Sequence, residues 1–104
     1  MKIVNFAEKN SELNRFVAEI RDIHIQQDRL RFRKNLERIG EVMSYEISKD
    51  FRYSEKLVTT PLGTARVNTA DDKIVIGTIL RAGIPYHQGF LNYFDRAENA
   101  FVSA

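Results

Sequence analysis

The chain has 104 residues, a formal net charge of +2 and no cysteine. That length allows one small domain. The charge is too small to point to nucleic acid or a membrane surface, and the absence of thiols excludes a disulfide framework and thiolate chemistry.

In chain order, Ile3, Val4 and Phe6 suggest a short edge strand. Residues 1–25 are charged throughout and lack the apolar core of a leader peptide. "SELNRFVAEI", 11–20, reads as a helix with Ser11 as its cap and Leu13, Phe16, Val17 and Ile20 on one face. A longer helix is predicted from Asp28, which would cap it. Its apolar stripe is Phe32, Leu36, Ile39, Met43 and Ile47. Gly40 within that helix lowers helix propensity by about 1 kcal/mol relative to alanine, so a close backbone contact is expected there. Arg29, Arg31, Arg33, Lys34 and Arg38 make the same helix basic. With Asp28 and Glu37 interspersed, they read as a solvated or subunit-facing surface rather than an RNA site. Nowhere does the chain approach the roughly 20 apolar residues of a membrane span.

After Asp50 the period changes. "KLVTT" and "TARVNT" flank the turn signal "PLG", which predicts a β-arm across about 56–69. Asp71 and Asp72 read as turn residues, and an apolar strand follows over 74–80. Pro85 suits the first position of a helix, on which Tyr86, Phe90, Tyr93 and Phe94 fall at core spacing. His24 and His87 have no metal-ligand spacing, and His87 is expected to be an exposed helix residue. "NAFVSA" begins another strand. The alternation predicts an α/β fold with a parallel core.

The end of strand 74–80 carries the candidate chemistry. Ligands of open α/β sheets bind beyond the carboxyl ends of the strands, and Arg81 stands at that end, followed by Ala82 and Gly83. Gly83 permits a sharp turn and a close backbone approach. A helix N-terminus faces the same spot, so arginine, exposed amides and dipole together suit a phosphate or pyrophosphate.

"TILRAGIP", 78–85, closely resembles the pyrophosphate loop of the uracil phosphoribosyltransferases. "IRDIHIQQDRLRFRKNLERIGEVMSYEISKD", 20–50, resembles that family's N-terminal region through Arg21, Asp22, Arg38, Ile39, Gly40, Tyr45 and Glu46. "VTTPLGTARV", 58–67, is similar to its β-arm. The three matches are collinear.

The resemblance implies the N-terminal part of a type I phosphoribosyltransferase fold: a parallel sheet core with helices, a long N-terminal helix and a β-arm hairpin. It implies joining of uracil to phosphoribosyl pyrophosphate with Mg²⁺, giving UMP and pyrophosphate, in cytoplasmic pyrimidine salvage by a homodimer or larger homo-oligomer. Arg81, Ala82 and Gly83 are the implied phosphoribosyl pyrophosphate-binding residues, with the Arg81–Ala82 peptide expected to be cis. The family's "D-P-M-L-A-T-G" loop and uracil pocket have no counterpart in 1–104. The chain is therefore expected to be one incomplete domain: helices in 1–50, the arm, and the start of the core in 73–104. Alone it is expected to be inactive, with no uracil-binding residue and no metal ligand of its own. The alternative is a non-catalytic homologue serving regulation or RNA binding.

Overall fold

A computed structural model of the chain describes residues 1–103. Ser11 accepts a hydrogen bond from Leu13 N at 3.2 Å and so opens helix α1, Leu13–Arg21. Leu13 is buried, and Phe16, Val17 and Ile20 lie half-buried beside it as their spacing requires. Asp28 caps α2, Arg29–Ser48, by accepting from Arg31 N at 3.1 Å. The expected edge strand at 3–6 does not form. Asn5 instead accepts from Ala7 N at 3.0 Å and caps a 3-10 turn, Phe6–Glu8. A short strand with no neighbouring strand has no ladder to join, and the local Asx bond prevails.

The arm is longer than its sequence signal. Strands β1, Tyr53–Thr60, and β2, Gly63–Ala70, pair antiparallel with Thr60 opposite Gly63. Pro61 and Leu62 make the turn, and Gly63 takes φ +132°, a backbone conformation that L side chains rarely adopt. The base of the arm is tied down by polar bonds. Arg52 Nε and N donate to Asp72 at 3.0 and 2.9 Å, Ser54 Oγ donates to Asp71 at 2.8 Å, and Tyr53 OH donates to Ser48 O at 2.7 Å. Asp71 and Asp72 lie in an irregular connection rather than the expected turn, and their carboxylates close the base of the hairpin.

Strand β3, Val75–Leu80, runs into helix α3, Ile84–Tyr93, and returns as β4, Glu98–Ser103, parallel to β3 with Ile76 opposite Asn99 and Leu80 opposite Ser103. This βαβ unit is the parallel core the sequence predicts. α3 packs across α2, and α1 packs on α2 from elsewhere. The deepest line of α2 is not its large apolar stripe but Asn35, Ile39, Gly40 and Ser44. The reason is a backbone-to-backbone crossing: a Cβ on Gly40 would stand 2.5 Å from Tyr86 O and 3.2 Å from Gly89 Cα. Where α1 meets α2, buried Asn35 donates to Glu19 at 3.0 Å and accepts from Arg38 at 3.0 Å.

The buried apolar side chains among the described residues are Leu13, Ile39 and Ile76. The chain exposes 8429 Å², whereas a folded monomer of its mass exposes about 6,000 Å². Its radius of gyration is 16.8 Å, against about 13 Å for a compact domain of this length. The excess surface includes the sheet: Val75, Ile79, Phe101 and Val102 are exposed.

Candidate phosphate-binding loop

The β3–α3 connection is built on alternation. Ile76 and Thr78 point inward and are buried, while Gly77 and Ile79 point outward. The strand ends at Leu80, whose peptide bond to Arg81 is cis. The cis bond therefore lies one residue upstream of the Arg81–Ala82 bond implied by the resemblance. Arg81 and Ala82 are exposed and Gly83 is half-buried. No hydrogen bond or ion pair engages the Arg81 guanidinium among the described residues. A surface carboxylate pairing, the bland role for an arginine at this position, is not made.

The loop sits at the rim of a cleft of about 1130 Å³. Ala82 and Gly83 line it, together with Tyr86, Phe90 and Phe94 of α3 and its flank and Phe51 at the end of the long helix. Arg81 does not line it, so the guanidinium stands outside this largely apolar space. The expected row of free amides is shorter than the sequence suggests. Gly83 N donates to Ile79 O at 3.2 Å and Ile84 N to Arg81 O at 3.1 Å. Pro85 occupies the second helical position rather than the first and has no N–H. The Arg81 and Ala82 N–H groups make no backbone bond among the described residues and are left to an anion.

Gly83 is required by close packing. A Cβ there would meet Ile79 O at 2.8 Å and Thr78 Cγ2 at 2.9 Å. Two residues not anticipated in the site lie directly beneath it. Thr78 Oγ1 is hydrogen-bonded to His87 Nδ1, and both residues are buried, at 7% and 6% exposure. His87 is thus not the exposed helix residue expected: α3 turns it onto the strand, with its ring 5.0 Å from that of Phe101. The signal available in the sequence was Thr78 itself, a polar residue on the inward phase of an apolar strand. Tyr86 and Phe90 pack edge to face at 5.0 Å, and Tyr86 OH donates to Met43 Sδ at 3.0 Å. Burial raises the Tyr86 hydroxyl above its ordinary pKa. These aromatics are packing elements, though Tyr93 is exposed.

Mg²⁺ finds no carboxylate cradle here. Among the described residues no group of three or more His, Asp or Glu side chains converges. Asp71 and Asp72 are committed to the arm, and the Arg52 backbone N–H and guanidinium hold Asp72 below the ordinary carboxylate range. On α2, Arg31 pairs with Glu19 at 3.2 Å and Lys34 with Glu37 at 3.6 Å, while Arg38 bonds Asn35. The basic stretch is therefore a mixed-charge surface. No helix among the described residues is long and apolar enough to cross a membrane.

A family model described as Uracil phosphoribosyltransferase matches residues 7–103. The chain belongs to the uracil phosphoribosyltransferase family. It is 60% identical over all 104 residues to a uracil phosphoribosyltransferase of Porphyromonas gingivalis, of which it covers 48%. It is 40% identical over 75 residues to one of Methanothermobacter thermautotrophicus, covering 35% of that protein. The fold resembles a solved protein, AQ2163 of Aquifex aeolicus, with a TM-score of 0.75 and 31% identity over 89% of this chain and 44% of that one. The chain thus spans about half the length of the curated uracil phosphoribosyltransferases it matches.

Proposed function

We propose that the full-length protein transfers the phosphoribosyl group of phosphoribosyl pyrophosphate to uracil, releasing pyrophosphate and UMP, and that this chain supplies the edge of the site that grips the pyrophosphate. The observation that carries the reading is Arg81, exposed and unpaired at the end of a parallel strand beside the open Ala82 amide. As the bond from C1 of the ribose to pyrophosphate breaks, negative charge gathers on the leaving group. A guanidinium donates two parallel hydrogen bonds to such oxygens. Held in place beforehand, it favours the transition state over the bound substrate. Mg²⁺ in this reading is bound together with phosphoribosyl pyrophosphate, as the family resemblance implies. The reading assigns uracil and the ribose 5-phosphate to the part of the family's length that this chain does not cover. A cytoplasmic setting and homo-oligomeric assembly belong to the same proposal.

The test is conversion of labelled uracil to UMP by the full-length protein with phosphoribosyl pyrophosphate and Mg²⁺, beside the 104-residue chain alone. Product from the first and none from the second is the expected result. No uracil-dependent pyrophosphate release by the full-length protein would refute the assignment.

A further inference from the structure

We infer that Thr78 and His87 form a positioning pair that fixes the Arg81–Gly83 loop for phosphoribosyl pyrophosphate. The inference rests on the reading of that loop as the pyrophosphate site. The two residues come from different elements, β3 and α3, that flank the loop. Their side chains meet beneath it through Oγ1 and Nδ1. The contacts close a ring. The His87 N–H donates to Gly83 O at 2.8 Å, the Gly83 Cα packs so tightly on Thr78 Cγ2 that a Cβ would stand 2.9 Å from it, and Thr78 returns to His87 through its hydroxyl.

Strand end, loop and first helical turn are therefore one unit, from Thr78 to His87. Both side chains are buried, and a buried imidazole nitrogen without its partner loses the cost of its desolvation unrepaid. Whichever of the two atoms carries the proton, the pair prefers one geometry, and that geometry sets where the Ala82 amide and the Arg81 Cα stand. Both residues are assigned here to holding the loop, His87 through its N–H on Gly83 O and Thr78 through its methyl group on Gly83. A small displacement of such a support is felt strongly, because catalytic groups work within tenths of an ångström of their productive position.

The test compares Thr78→Val, which keeps the shape and removes the hydroxyl, with Thr78→Ser, which keeps the hydroxyl, both in the full-length protein. Thr78→Val is expected to raise KM for phosphoribosyl pyrophosphate about tenfold while KM for uracil stays within about twofold, and Thr78→Ser is expected to restore most of the loss. Equal KM values for Thr78→Val and wild type, or parallel changes for both substrates, would overturn the inference. Arg81→Ala is assayed alongside. If it weakens phosphoribosyl pyrophosphate use and Thr78→Val does not, the pair alone fails. If Arg81→Ala also changes nothing, the loop reading fails with it. Should Thr78→Val not fold, the wild-type His87 ring signal in NMR decides: it should shift on adding phosphoribosyl pyrophosphate together with the Ala82 and Gly83 amides. Movement of those amides past an unmoved His87 signal would overturn the inference.

Discussion

Gly40 of α2 and Gly89 of α3 cross with their backbones in contact: a Cβ built on Gly89 would stand 2.9 Å from Gly40 Cα and from Glu41 N, and would collide with Glu37 O. This crossing sets how α3, and with it the phosphate-binding loop, is seated on the long helix. Two effects compete when alanine replaces Gly89. Helix propensity favours alanine by about 1 kcal/mol, whereas forcing a methyl group between two helix backbones costs about 1–3 kcal/mol or more. The contact is with backbone and cannot be relieved by a rotamer change, so the second effect prevails. Gly89→Ala in the full-length protein is expected to lower the urea midpoint at unchanged m-value. A stabilised Gly89→Ala protein would contradict the crossing.

Arg81 supports a kinetic prediction. Its guanidinium has no protein partner to lose among the described residues, so Arg81→Ala is expected to leave the melting temperature unchanged. Loss of one preorganised donor to a developing negative charge costs about 2.7–4 kcal/mol, so kcat/KM for phosphoribosyl pyrophosphate should fall by about 10²–10³-fold. Steady-state rates at saturating uracil measure it. Wild-type rates in a folded Arg81→Ala protein would remove Arg81 from the site.

Gly83 tests the loop by displacement rather than deletion. An added methyl group would press on Ile79 O at 2.8 Å and Thr78 Cγ2 at 2.9 Å, moving the loop while leaving the arginine in place. Gly83→Ala should therefore weaken phosphoribosyl pyrophosphate binding with every charged group retained. Calorimetric titration of the full-length variant reads this directly, and an unchanged dissociation constant would mean that the loop has room to spare.

The contact of α1 with α2 should be sensitive to acid. Hydrogen bonding from Asn35, aided by Arg31 and Arg15, holds the Glu19 carboxyl below its ordinary value near 4.5. The folded state therefore favours the ionised form. The stabilisation is complete above the unfolded pKa and is lost as pH falls through the lower, folded one. Wild type should exceed Glu19→Gln in urea midpoint at neutral pH, and the gap should close as pH drops below about 4.5. A gap independent of pH would mean that the charge on Glu19 contributes nothing.

Local chemistry was legible in the sequence and non-local pairing was not. Asp28 caps α2 and "PLG" turns the arm because each acts within three or four residues. Gly40 announced a close approach, but its partner Gly89 lies in a different helix and gives no signal of its own. The apolar stripe from Phe32 to Ile47 was read correctly as a periodic pattern, yet the deepest line is Asn35, Ile39, Gly40 and Ser44, because small residues let the helix backbones meet. The loop was legible as a strand end with arginine and glycine. Its support was not, since His87 is buried by a strand residue nine positions earlier. At 3–6 β-propensity misled for the converse reason: a strand requires a neighbour, and Asn5 offered a nearer bond.

The exposed face of the β3–β4 pair leads to the last prediction. Val75, Ile79 and Val102, which lies opposite Ile79, stand at 62%, 64% and 58% exposure on this face, while Phe101, opposite Thr78 on the other face, is 54% exposed. β4 has β3 on one side and leaves its other edge unpaired. The excess over a compact monomer is about 2,400 Å², as much as one partner buries in a large obligate interface. Apolar strands with a free edge recruit other strands. The isolated 104-residue chain should therefore bind a hydrophobic dye such as ANS, self-associate with rising concentration and melt with little cooperativity. The full-length protein should bind the dye weakly and melt sharply. Light scattering, ANS fluorescence and calorimetry on the two proteins make the comparison, and a monomeric, dye-silent chain with a sharp melt would mean that the sheet face is covered from within these residues.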